Sequence, residues 1–297
     1  MIPVDLSGKV ALVTGVGDNV GFAWHIAKAL QAAGARLLFA VHPRLVGIVE
    51  NILEREADAD TRVLPFGAGT LKVDKVIPCD VSFDTMDDVD EKTREDKRFM
   101  KHGDFSIQGL MKAVQAHGNQ IDILIHSVAF SPEITNKAID TSRRAYLTAL
   151  GVSAYSLTAL LRAGLPMMEG RPGGASVVGL TYLGGDRAIP HYGGGMSSAK
   201  AALQIDAQQL ASNLGPKGIR VNLISAGPYA SRAARAIRQG DHDIYKMIDY
   251  AAARAPLQRP IEAEEVANAA VFLCSPLASA VTGEVLYVDC GYNVMGV

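Results

Sequence analysis

Two tyrosines and a lysine stand out by type and spacing: Tyr182, Tyr192 ten positions on, and Lys200 eight beyond that. An ammonium beside a phenol favours the phenolate, lowers the phenol's pKa and makes it a better proton donor near neutral pH. Such a pair suits a reaction in which negative charge develops on a carbonyl oxygen. The surrounding residues suggest how the pair is carried. ASVVGL over 175–180 reads as a strand, the Gly-rich and Pro-containing stretch after it as a loop, and the chain turns helical near Ser197. Lys200 then falls on the first turn of a helix and Tyr192 at its mouth. On spacing alone a Tyr/Lys pair is more often structure than chemistry. The glycine run at the other end of the chain shifts that balance.

KVALVT over 9–14 is a short apolar run that meets Gly15, Gly17 and Gly21. Helical periodicity follows over 22–33 through Ile26, Ala27, Leu30 and Ala33, Gly34 closes it, and 37–41 is the next strand. This strand, glycine turn, helix and strand form one βαβ unit whose turn suits a pyrophosphate. The G-x-G-x-x-x-G spacing is one residue longer than the usual dinucleotide fingerprint, so the motif needs that context to carry weight. No acid closes the second strand, where Ala40, Val41, His42, Pro43 and Arg44 stand. NAD and NADP both stay open: Arg44 is either a solvated charge or a partner for a 2′-phosphate. Asp80, just past a third strand over 75–79, is either an acceptor for the adenine amino group or a turn former.

The run 84–104 is highly charged, and the expectation is a solvated stretch without a role. IDILIH over 121–126 is a buried fourth strand, and the loop after it sits where strand order reverses. His126 is expected to be a satisfied strand-end residue. A long helix over 141–163, with small residues for close packing, is expected to end at Gly164 and Pro166. A sixth strand over 218–224 leads to Ser225, Ala226, Gly227 and Pro228; then come helical pieces over 229–250, a helix over 261–273 and a last strand over 284–288. Strands alternate with helices throughout, with no linker, which predicts a single doubly wound α/β domain over 1–297 and a mobile substrate-binding segment near 229–250.

Of the 297 residues 48% are hydrophobic and 20% charged, enough for a sizeable core. A formal charge of −2 with no long basic run disfavours nucleic acid as a partner. Cys79, Cys274 and Cys290 lack metal-ligand spacing and suit a reducing compartment, so no metal is expected. No run approaches a membrane span. MIPVDLSGK reads as neither a signal nor a transit peptide.

TGVGDNVGFAWHIAKAL, IDILIHSVAFSPEI, YGGGMSSAKAAL, IRVNLISAGPYASRAARAI and SPLASAVTGEVLYVDCGYNVMG together carry a resemblance over almost the whole chain. The chain resembles the NADH-dependent enoyl-acyl-carrier-protein reductases, a branch of the short-chain dehydrogenase/reductase family, and in particular their plant, apicomplexan and chlamydial form. Ordinary members of the wider family place the lysine four residues after the tyrosine, whereas here the interval is eight. The resemblance implies a Rossmann-type parallel sheet with helices on both faces. It implies reduction of trans-2-enoyl thioesters on acyl carrier protein, with NADH as cofactor, NADPH not excluded, and a homotetramer. The compartment would be cytoplasm in a bacterium and plastid stroma or apicoplast in a eukaryote, whose leader would not be visible in this sequence.

By the same resemblance Tyr192, Lys200 and Tyr182 are catalytic. Gly15, Gly17, Gly21, Phe22, Trp24, His42, Asp80, Val81, Ser127, Val128, Ala129, Lys200, Ala226, Gly227 and Pro228 would bind the cofactor. Ala129, Phe130, Tyr182, Tyr192, Met196, Ala233, Ala234 and Ile237 would meet the substrate. Departures from the family pattern stand at Ala23 (usually Gly), His42 (often Trp), Val81 (Ala), Phe130 (Asn) and His191 (Gly). Two alternatives follow: a carbonyl reductase acting on 3-oxoacyl thioesters, and a dinucleotide-binding relative without turnover. Gly179, standing where the wider family has its serine, argues against the first.

Overall fold

Along the first strand, β1 (Val10–Thr14), every residue is buried. Side chains alternate across a strand, so a wholly apolar strand must be covered on both faces. Ala11 and Val13 enter one apolar core and Val10 and Leu12 the other. The computed structural model describes residues 4–190, 192–231, 234, 238–239 and 242–296. Around β1 lie β2 (Arg36–Val41), β3 (Lys75–Pro78), β4 (Ile123–His126), β5 (Ala175–Thr181), β6 (Ile219–Ala226) and, last in the chain, β9 (Val285–Val288). These form a parallel seven-stranded sheet in the order β3-β2-β1-β4-β5-β6-β9.

Helices α1 (Phe22–Ala32), α2 (Val46–Glu54) and α10 (Ala263–Cys274) contribute to the first core. Helices α5 (Ile107–Ala116), α7 (Ser156–Met168) and α8 (Met196–Leu214) contribute to the second. β1 pairs with β2 on one side and β4 on the other, so chain order reverses there. A crevice beyond the carboxyl ends of those strands is where such sheets take ligands. The doubly wound α/β architecture is as expected from the sequence.

Three stretches differ from expectation. The long helix does not stop at Gly164 and Pro166. It runs as α6 (Arg143–Leu150), a π segment (Gly151–Tyr155) and α7, with Pro166 inside its last turn. An internal proline costs about 3 kcal/mol. Leu160, Leu161, Met167 and Met168 are all buried, each stabilising by roughly 1.5–3 kcal/mol, and so outweigh it. The charged run 84–104 is not simply solvated. It folds into α3 (Glu91–Glu95) and α4 (Lys97–Met100), and Val89, Phe99 and Phe105 make a small core of their own. Within 229–250 the described residues hold a two-residue hairpin, β7 (Arg238–Gln239) with β8 (His242–Asp243), as well as helix α9 (Ile244–Arg254).

Candidate active site

β5 delivers Tyr182 in extended conformation one residue past its end, and a short turn over Leu183–Gly185 folds the chain back. Tyr192 returns against it, the two rings meeting edge to face at 4.9 Å between centroids and 68° between planes. Gly184 makes this contact possible: a Cβ there would lie 2.6 Å from Tyr192 Cδ1 and 3.1 Å from Tyr182 Cδ1. The three glycines after Tyr192 have a similar reason. A Cβ on Gly193 would lie 1.7 Å from the Asn136 carbonyl oxygen, and one on Gly194 2.4 Å from that of Glu133. Gly193 N–H donates to Ile134 O (3.1 Å), Gly194 N–H to Asn136 O (3.2 Å), and Ser131 Oγ–H to Gly194 O (2.6 Å). The loop after β4 thereby holds the segment that carries Tyr192. Gly195, at φ 82°, then starts α8.

Lys200 lies one turn into α8 and is only 5% exposed. Its Nζ donates to the Leu180 carbonyl at 2.7 Å, and burial pushes its pKa down to about 8. The expected lowering of the phenol's pKa is not found. Burial, and secondarily Tyr182, push the Tyr192 phenol up, while Tyr182 is raised by its own burial and by Tyr292 and Asp289. The ammonium is spent on a backbone carbonyl, and desolvation of the phenolate dominates. His126 is fully buried beneath, with Nε2 2.7 Å from Ser156 Oγ. Burial and the nearby Lys200 push its pKa down to about 3, so it is neutral. The expectation of a satisfied residue holds for one nitrogen only, since Nδ1 has no partner among the described residues.

The crevice at the carboxyl ends of β1 and β4 begins at Gly15, φ 79°, where a Cβ would lie 1.9 Å from the Ser127 carbonyl oxygen. Only glycine lets the ends of β1 and β4 approach so closely. Thr14 ties them, its Oγ1 donating to Ile125 O at 3.0 Å and accepting from Ser127 N–H at 3.3 Å. Asp18 closes the turn by accepting N–H bonds from Val20 (3.0 Å) and Gly21 (2.7 Å). No side chain caps the first turn of α1, which suits an anion. The Phe22 and Tyr229 rings meet at 4.8 Å, tilted by 32°, bringing the stretch after Pro228 to this turn, and Gly227 is fixed by its N–H bond to Val288 O (2.9 Å). The turn therefore fits a pyrophosphate. A cavity of about 450 Å³ lined by Pro256, Ile261 and Asp289 is a separate feature from the two tyrosines.

Just past the end of β2, His42 Nδ1 accepts from Arg44 N–H at 3.2 Å and its Nε2 lies 3.3 Å from Asp80 Oδ2, which sets Nε2 as the protonated nitrogen. Burial raises the Asp80 carboxyl, but hydrogen bonds from His42 and Ser82 outweigh it and hold it below the usual range. Ala129 and Phe130 are exposed, Phe130 with its N–H held by Ser153 Oγ at 3.0 Å. Ser127 and Val128 are half-buried beside them.

Trp24 and Met196 do not line the crevice. The Trp24 ring is fully buried, packs on Phe39 and donates its N–H to Thr61 O at 3.0 Å, so it is core. Met196, 1% exposed, packs with Ala149 and Ala199 and against Tyr192, so its side chain is part of a core cluster. Ala234 is half-buried, and Ala233 and Ile237 lie outside the described residues. Gly184, Asp18 and the π segment that carries Ser153 were missed from sequence. A glycine between two tyrosines and an acid inside a phosphate turn were the available signals; the π segment left none.

The family described as Enoyl-(Acyl carrier protein) reductase matches residues 102–293. The chain is 48% identical over 99% of its length, and 77% of the relative's, to the chloroplastic NADH enoyl-[acyl-carrier-protein] reductase 1 of Oryza sativa. The chain belongs to the enoyl-acyl-carrier-protein reductase family. The crystal structure of the Plasmodium berghei reductase with triclosan superposes with a TM-score of 0.91 at 39% identity, covering 97% of this chain and 99% of that one. A Bacillus cereus reductase solved with NADP+ gives 0.79 at 34% identity, covering 98% and 99%. Of the residues read from the sequence as departures, Ala23 and Val81 are buried in the two apolar cores, His42 bonds Asp80, Phe130 is 53% exposed, and His191 lies outside the described residues.

Proposed function

We propose that the chain reduces trans-2-enoyl thioesters on acyl carrier protein with NADH, in fatty-acid elongation. The observation that carries this reading is the Tyr182–Tyr192 pair next to buried Lys200 at the β5 end, on a chain that is 46% and 48% identical to plant NADH reductases. When bound, the reduced nicotinamide supplies a hydride to the substrate's β-carbon. Negative charge then gathers on the thioester oxygen, and Tyr192 donates a hydrogen bond to it. Burial keeps this hydroxyl protonated at neutral pH, so it serves as a donor rather than a base. Lys200 adds positive charge from a dry site, where it counts for more than in water, and binds the nicotinamide ribose. Tyr182 fixes the angle of Tyr192 and lines the acyl site.

Gly15, Gly17, Gly21 and Phe22 hold the pyrophosphate; His42, Asp80 and Val81 the adenine; Ser127 to Ala129 and Ala226 to Pro228 the nicotinamide side. Phe130, Ala233, Ala234 and Ile237 wall the acyl chain, with 229–250 as its movable part. Four copies assemble, within one catalytic domain each, in the plastid or apicoplast of a eukaryotic host or the cytoplasm of a bacterial one. The test is loss of NADH absorbance on adding a crotonyl thioester, with a 3-oxoacyl thioester as comparator. Turnover of the enoyl substrate is expected; turnover of neither, or of the 3-oxoacyl thioester alone, overturns the reading.

A further inference from the structure

The end of β2 carries an arginine and no acid, and a carboxylate from elsewhere in the chain pairs with that arginine. In an open sheet of this kind the residues just past the second strand meet the adenosine ribose, where an acid takes the 2′-hydroxyl and an arginine accommodates a 2′-phosphate. Here that place holds Arg44. Its Nη2 lies 3.1 Å from Asp96 Oδ2, and its guanidinium lies over the Phe99 ring at 5.2 Å. Phe99 is buried and meets His42 edge to face at 5.4 Å, and His102 Nε2 lies 3.0 Å from Pro43 O. The charged run 84–104 is thus folded down onto the end of β2. Asp96 is fixed there: it caps α4, accepting Arg98 N–H at 2.9 Å, and takes Arg98 Nε and Nη2 at 3.0 and 2.7 Å.

We infer that Asp96 selects NADH against NADPH, by occupying Arg44 and by placing a fixed negative charge next to the adenosine ribose. The inference rests on the proposed function only in that the crevice binds a nicotinamide dinucleotide. The fold does not itself make the choice, since the similar Bacillus cereus structure holds NADP+. A 2′-phosphate, carrying close to two negative charges, would have to draw Arg44 off a carboxylate that stays in place.

The experiment is fluorescence titration of NADH and NADPH against the wild-type chain, Asp96→Asn, and Asp96→Asn combined with Arg44→Ala. Asparagine caps a helix as well as aspartate, so the fold is kept while the charge goes. The wild-type chain is expected to prefer NADH. Asp96→Asn should tighten NADPH roughly tenfold, the scale of one charge-assisted hydrogen bond, with NADH unchanged. The double variant should lose the gain. An unchanged NADPH/NADH ratio in Asp96→Asn with NADH binding intact, a gain that survives removal of Arg44, or a wild-type preference for NADPH overturns this inference alone. A wild-type chain that binds neither dinucleotide overturns the proposed function with it.

Discussion

Gly184→Ala places one methyl group between the two tyrosines. The added Cβ would lie 2.6 and 2.9 Å from Cδ1 and Cε1 of Tyr192 and 3.1 Å from Cδ1 of Tyr182. Carbon atoms rest at about 3.5–4.0 Å, so the Tyr192 ring must retreat by about 1 Å. Gly184 does not have positive φ, so the backbone accepts alanine and the effect is steric. Overpacking of this kind costs about 1–3 kcal/mol of stability. Misplacing a reacting group by about 1 Å costs on the order of 100-fold in rate, or about 2.7 kcal/mol of barrier. Steady-state kinetics with a crotonyl thioester should show kcat down by that factor, while NADH titration gives wild-type affinity and confirms folding. Gly47→Ala, where a Cβ meets nothing within 4 Å, is the control and should leave kcat alone. If Gly184→Ala keeps kcat within about twofold of wild type, far short of the loss a displaced reacting group brings, the ring pairing does not set the position of the Tyr192 hydroxyl.

Two further outcomes follow from burial. Lys200 is charged below its pKa of about 8 and neutral above it, so NADH affinity should weaken as pH rises through that value. His126, at about 3, is neutral on both sides and should leave no inflection between pH 5 and 9; a pH-independent NADH affinity across that range would contradict the role given to Lys200. Trp24→Phe removes the bond to Thr61 O and part of a buried ring, which should lower stability by about 1–3 kcal/mol in urea unfolding and leave NADH affinity untouched. Weakened NADH binding with unchanged stability would instead place Trp24 at the cofactor.

The sheet was legible because its strands are short apolar runs broken by glycine, and the βαβ unit at 10–41 carries every one of those signals. The Tyr182, Tyr192 and Lys200 set was legible from residue type and from the eight-residue interval, in which Gly193 and Gly194 leave room for the Asn136 and Glu133 carbonyls. What escaped depended on tertiary packing. Pro166 reads as a stop in any local window; only the burial of Met167 and Met168 keeps the helix going. The run 84–104 reads as solvated because its two buried apolar residues, Val89 and Phe99, are diluted by charge. Trp24 and Met196 belong to motifs that resemble cofactor and substrate contacts, yet their side chains point into cores. The direction of the Tyr192 pKa escaped because spacing reveals the neighbour but not that its ammonium is already bonded to Leu180.

Whether the Tyr192 hydroxyl stabilises charge on the substrate oxygen is decided by Tyr192→Phe in single-turnover reduction of a crotonyl thioester. A rate about 100-fold or more below wild type is expected, with NADH affinity unchanged, since the hydroxyl acts only as charge develops. A variant that turns over at the wild-type rate would contradict it.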